Sequence, residues 1–116
     1  MSGPRLAQRH VLVTGGGGGI GLAIAQACLA EGARVSVVDR AAQPGDEARA
    51  LQARHPQARH YLAADVTQPQ DIERLLGGAV ARFGALHTLV NNAAVFEVAP
   101  LLESGADSLD RLFAVN

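Results

Sequence analysis

Gly15 to Gly19, an unbroken run of five glycines followed by Ile20 and Gly21, is the stretch of this chain best suited to hold a ligand. Glycine allows the positive backbone angles of a tight turn and leaves no side chain between the backbone N–H groups and an approaching anion. Apolar residues resume at helical spacing in Ile20, Ala23, Ile24, Ala27 and Cys28. The loop therefore opens onto a helix N-terminus, whose free N–H groups and positive dipole end face the same anion. A dinucleotide pyrophosphate fits that description. A glycine run without context has a plainer alternative, a flexible loop or low-complexity stretch. The context here is Asp39, which closes the next predicted strand about where a ribose-binding carboxylate belongs.

Other chemistry is weakly represented. The four histidines (His10, His55, His60, His87) show no pairing at metal-ligand spacing, so no metal site is expected. Cys28, the only cysteine, falls on the apolar side of the first helix and reads as a buried structural thiol. The ten basic residues are all Arg and are scattered along a chain of net charge −1, which argues against nucleic acid as a partner. No apolar run is long enough to span a membrane, and Met1 to Arg9 lacks the apolar core of a signal peptide. A cytoplasmic location is the expectation, with no membrane partner.

These residues need strands and helices to place them. Val11 to Val13 is a short β-rich apolar run of the kind buried in a parallel sheet. A helix follows from Ile20 to about Ala30, its face of Ile20, Ala23, Ile24, Ala27 and Cys28 turned to the sheet, with Gly32 as its stop. Arg34–Asp39 is the second strand, Asp46 to about Arg54 a weaker helix ended by His55-Pro56, and Arg59–Ala63 the third strand. A helix with Pro69 in its first turn carries Ile72, Leu75, Leu76, Ala79, Val80 and Phe83 on one face and ends at Gly84. Leu86 to Asn91 is the fourth strand, and a last helix begins near Ser104 to Asp107. Alternation of this kind implies βαβ units and a parallel sheet, the α/β class. On a dinucleotide-binding template the strand order is 3-2-1-4, the N-terminal half of a Rossmann-like doubly wound sheet in a single domain of residues 1–116. Gly15 to Gly21, Asp39, Asp65 and Asn91 then gather at the carboxyl ends of the strands.

Thr14-Gly15-Gly16-Gly17-Gly18-Gly19-Ile20-Gly21 resembles the Thr-Gly-x-x-x-Gly-Ile-Gly fingerprint of the short-chain dehydrogenase/reductase family. Asp39 is similar to that family's NAD-selecting acid, Asp65-Val66 to its adenine-contacting pair, and Asn91-Asn92-Ala93-Ala94 to its Asn-Asn-Ala-Gly motif. Ala94 departs from the usual Gly. Asn116, reached through Asp110 to Val115, resembles the asparagine of the catalytic tetrad. The resemblance runs from His10 to the end of the chain.

The resemblance implies an NAD-dependent alcohol or carbonyl oxidoreductase that is a homo-oligomer at full length. Thr14, Gly15, Gly19, Ile20, Gly21, Asp39, Arg40, Asp65, Val66, Asn92, Ala93 and Ala94 would contact the cofactor, and Asn116 would serve the active site. Arg40 offers a charge to a 2′-phosphate, but a carboxylate placed to accept from both ribose hydroxyls would repel that phosphate, so NAD is expected over NADP. The family's catalytic Ser and Tyr-x-x-x-Lys lie beyond the tetrad asparagine. The chain contains no Lys, and its one tyrosine, Tyr61, has Asp65 four residues on. An incomplete chain, inactive alone, is therefore expected. The segment from Asn91 to Asn116 is similar to members that oxidise sugar alcohols such as sorbitol or galactitol. Two other readings stand beside this one: a non-catalytic NAD-binding module, and a methyltransferase, which the glycine spacing disfavours. Each motif residue also has a plainer role, Thr14 as a turn cap, Asp65 as a turn acid, Asn91 and Asn92 as partners for backbone groups.

Overall fold

The computed structural model describes residues 4–93. Its elements are β1 (His10–Thr14), α1 (Gly19–Ala30), β2 (Arg34–Asp39), α2 (Asp46–Arg54), β3 (Arg59–Ala63), α3 (Pro69–Phe83) and β4 (Thr88–Val90). The four strands are all parallel and lie in the order β3-β2-β1-β4. Ala94, Asn116 and the last helix expected from Ser104 to Asp107 lie outside the described residues.

The period of two along a strand explains the layers. Val11, Val13, Val35 and Val37 point to one face and pack with Ala25 and Leu29 of α1 and Leu51 of α2. Leu12 and Val38 point to the other and pack with Leu75 and Ala79 of α3. Both faces are covered, so every residue of β1 is buried and its middle, Val11 to Val13, is a continuous apolar run.

Two expected helix faces differ from the observed ones. In α1 the buried row is Gly21, Ala25 and Leu29, while Ile20, Ala23 and Ala27 face solvent and Ile24 and Cys28 are half-buried at the flank. The rotation is fixed by Gly21, which lies so close to Gly15 that only a glycine fits there. In α3, Leu75, Ala79 and Phe83 are buried, but Ile72, Leu76 and Val80 remain exposed. Leu89 pairs with Leu12, on the α3 side of the sheet, and is also exposed.

β4 is shorter than the expected Leu86 to Asn91. Ahead of it the His87 ring takes the part of a backbone partner: Nδ1 accepts the His10 N–H at 2.9 Å, while the His87 N–H donates to the His10 carbonyl at 3.0 Å. Beyond it, Asn92 and Ala93 turn toward Thr14.

The end of the sheet away from the glycine loop holds a histidine cluster. His10 is buried, bonded to the Gly84 carbonyl through Nδ1 and to Ser36 Oγ through Nε2 at 2.7 Å, with the Phe83 ring edge-on at 5.3 Å. His60 meets the same Phe83 ring, and its buried Nδ1 has no partner. Burial, then the charges of Arg82 and His10, lower the His60 pKa below the ordinary value of 6.5. The unfolded chain thus takes up this proton more readily, so the contribution of neutral His60 is complete above about pH 6.5 and is lost as pH falls below it. The urea midpoint should drop between pH 7.5 and 5.5, and His60→Phe should flatten part of that slope. An unchanged slope in the variant would contradict the assignment.

Candidate functional site

The carboxyl ends of β1, β2 and β4 converge on the glycine loop, and Thr14 is the joint between them. Its hydroxyl oxygen accepts the backbone N–H groups of Asn92 and Ala93, each at 3.0 Å, and donates to the Val90 carbonyl at 3.3 Å. Asn92 adds a side-chain bond from Nδ2 to the Gly15 carbonyl at 3.1 Å. The Asn-Asn-Ala stretch is thereby tied to the loop 77 residues earlier in the chain. The plainer expectation for Thr14 and Asn92, that they satisfy backbone groups, describes the observed bonds.

The glycines divide into those that are packed and those that are open. A Cβ on Gly21 would lie 2.3 Å from the Gly15 carbonyl oxygen, and one on Gly15, at φ +64°, 2.9 Å from Ala93 Cα. On Gly16 it would strike Val37, and on Gly17 the Asp39 carboxylate. Gly18 and Gly19 instead face open space. Gly18 caps α1 without a side chain, and no acidic residue occupies the first turn. The first helical N–H groups therefore keep their donor capacity for an external anion. Ile20, 74% exposed, stands beside them as an apolar surface at the mouth of the loop.

Asp39 closes the site on the β2 side. Oδ2 accepts the Gly17 N–H at 2.9 Å and Oδ1 accepts the Arg40 N–H at 2.8 Å. One carboxylate thus fixes the loop and remains beside it, where a ribose linked to a loop-bound pyrophosphate would lie. Its bond to Gly17 is a feature that the sequence pattern did not disclose. The 22-residue spacing placed the acid near the loop without showing which N–H it holds.

Asp65 is less available. Its Oδ1 accepts both the N–H and the hydroxyl of Thr67, at 3.0 and 2.7 Å. Those bonds, and to a smaller extent the charge of Arg40, hold its carboxyl below the usual range. Val66 is half-buried against the α3-side core, and the Asp65 N–H donates to Asp71. Cys28 is half-buried, which raises its thiol pKa. Among the described residues no three His, Cys, Asp or Glu side chains come together to hold a metal, and no helix is long and apolar enough to cross a membrane.

An open glycine cradle, an uncapped helix start and a carboxylate bonded to the loop fit a dinucleotide. The short chain dehydrogenase family model matches residues 9–116. The chain belongs to the short-chain dehydrogenase family. It is 42% identical over 112 residues to sorbitol dehydrogenase of Cereibacter sphaeroides, a match covering 97% of this chain and 43% of that protein. It is 38% identical over 114 residues to galactitol 2-dehydrogenase of Agrobacterium fabrum, covering 97% and 43% of the two chains. A solved short-chain dehydrogenase of Novosphingobium aromaticivorans superimposes with a TM-score of 0.88 at 30% identity, over 95% of this chain and 40% of that one. The chain thus spans less than half the length of these relatives. Family membership and the β3-β2-β1-β4 sheet agree with the sequence reading.

Proposed function

We propose that this short-chain dehydrogenase chain is the NAD-binding domain of an alcohol or carbonyl oxidoreductase that acts on a polyol or sugar alcohol. The observation that carries the NAD reading is Asp39, whose carboxylate accepts the Gly17 N–H of the glycine loop at 2.9 Å. A negative charge there accepts from ribose hydroxyls and repels a 2′-phosphate. Gly15, Gly19 and Gly21 with Thr14 shape the anion cradle, and Ile20 covers the ligand from the mouth. Arg40, Asp65 and Val66 border the adenine end, while Asn92 and Ala93 continue toward the nicotinamide; Ala94 joins the cofactor contacts by resemblance alone.

When bound, the nicotinamide supplies the hydride acceptor. The chain's own residues hold it; they do not provide the base that takes the hydroxyl proton, a contribution of about 10²- to 10⁴-fold in such reactions. Within these 116 residues there is no lysine, and Tyr61 is committed to a backbone carbonyl. Asn116 carries the tetrad role by resemblance and is neither acid nor base at neutral pH. The chain alone accordingly transfers no hydride; by resemblance that chemistry belongs to a Ser and a Tyr-x-x-x-Lys pair. The polyol assignment draws on the names of two relatives, a sorbitol and a galactitol dehydrogenase. The same lack of lysine favours one second reading, an NAD-binding module without catalysis. We place the whole protein in the cytoplasm as a homo-oligomer.

The test is reduced-nicotinamide absorbance with sorbitol, galactitol and simple ketones, on this chain and on any longer protein that contains it. Turnover is expected only where Tyr-x-x-x-Lys is present. Turnover by the 116-residue chain would refute the incomplete-site account, and NAD binding without turnover in a longer protein that has the pair would favour the module. Asp39→Ala should narrow the preference for NAD over NADP about tenfold or more, the scale of losing a charge-assisted hydrogen bond. An unaltered preference would remove Asp39 from the selection of cofactor.

A further inference from the structure

Tyr61 is the only tyrosine in the chain and belongs to none of the family motifs. It stands on β3 opposite Val37, on the α1 side of the sheet, and its hydroxyl donates to the Ala41 carbonyl at 2.6 Å. Ala41 lies in the short link between β2 and α2. Among the described residues, no other carbonyl from Arg40 to Pro44 accepts a hydrogen bond. One phenol therefore anchors the segment that leaves the ribose acid.

Three consecutive residues are held in different ways. Asp39 is fixed by the Gly17 N–H, Arg40 by its own N–H on Asp39 Oδ1, and Ala41 by Tyr61. The Arg40 charge reaches Asp65, whose carboxyl is lowered first by its bonds from Thr67 and also by that guanidinium. Burial and the charge of Asp39 raise the phenol above its ordinary value of 10, so the hydroxyl remains a donor at neutral pH.

We propose that Tyr61 is a positioning residue for cofactor selection: by holding Ala41 it keeps the Asp39 carboxylate presented to the ribose. Released from that anchor, the link lets the carboxylate drift from the ribose hydroxyls, which also weakens its repulsion of a 2′-phosphate. This inference rests on the dinucleotide reading above.

Calorimetric titration of wild-type protein and Tyr61→Phe with NAD and with NADP tests it. Phe keeps the ring and loses only the hydroxyl. NAD affinity should fall about 3- to 10-fold, the range of one lost hydrogen bond, while NADP affinity holds or rises. The NAD-to-NADP ratio is the decisive quantity, because a loss of general stability would lower both affinities together. A ratio within twofold of wild type overturns the role of Tyr61 and leaves the dinucleotide reading standing. Wild-type protein that binds neither nucleotide overturns both. If the variant does not fold, the wild type answers alone: the ring signal of the single tyrosine should shift on NAD saturation, and an unmoved signal overturns the proposal.

Discussion

Thr14→Val is expected to lower folding stability by about 2–4 kcal/mol and to weaken dinucleotide binding with it. Valine has nearly the same shape, so the packing of β1 is preserved and the change isolates the hydroxyl. Two backbone N–H groups, of Asn92 and Ala93, lose their acceptor at a site where Thr14 is itself buried. Each orphaned donor costs about 1–3 kcal/mol. Against a total of about 5–15 kcal/mol for a domain, that is a large fraction. The functional consequence follows from connectivity: the Asn92 side chain is held by the same turn and bonds the Gly15 carbonyl, so releasing the turn loosens the first glycine of the cradle. Thr14→Ser retains the oxygen and should recover most of the loss. Urea unfolding of the three proteins checks this, and a Val variant as stable as the Ser variant would show that the hydroxyl is not the joint.

Gly21→Ala should be more damaging still, and Gly18→Ala nearly silent, although both add one methyl at the start of α1. The Gly21 methyl would sit 2.3 Å from the Gly15 carbonyl oxygen and 2.5 Å from Asn92 Nδ2. Neither neighbour can yield alone, since Asn92 bonds that very carbonyl. α1 must move away from β1, an overpacking cost of about 3 kcal/mol or more. Gly18 has extended backbone, which any residue adopts, and nothing within 4 Å of the added atom. Its substitution should change stability by less than about 1 kcal/mol. Thermal unfolding of the pair is sufficient, and equal melting temperatures would mean that the close approach of α1 to the loop is not a packing constraint.

Much of this arrangement was legible in the sequence because local rules and global fold agree in it. Arg34–Asp39, Asp46–Arg54, Arg59–Ala63 and Pro69–Phe83 fall where their apolar periods and their Gly and Pro stops place them. The strand order followed from the alternation and the glycine loop. What was not legible is rotational. A helix with apolar residues on several sides, such as α1, has no strong stripe to choose its buried face. The choice fell to Gly21, a residue with no hydropathy signal, through its contact with Gly15. The same holds for the side-chain bonds that finish the site. The Gly17 bond to Asp39 and the Tyr61 bond to Ala41 join residues 22 and 20 positions apart, and sequence spacing does not encode which donor meets which acceptor.

The most direct test of the central claim, that the glycine loop and Asp39 together form an NAD site, is an isothermal titration of the wild-type chain with NAD and with NADP. One saturable NAD site per chain is expected, with NADP bound more weakly and no NAD binding by Gly21→Ala. NADP bound as tightly as NAD, or no binding of either nucleotide by a folded wild-type chain, would contradict it.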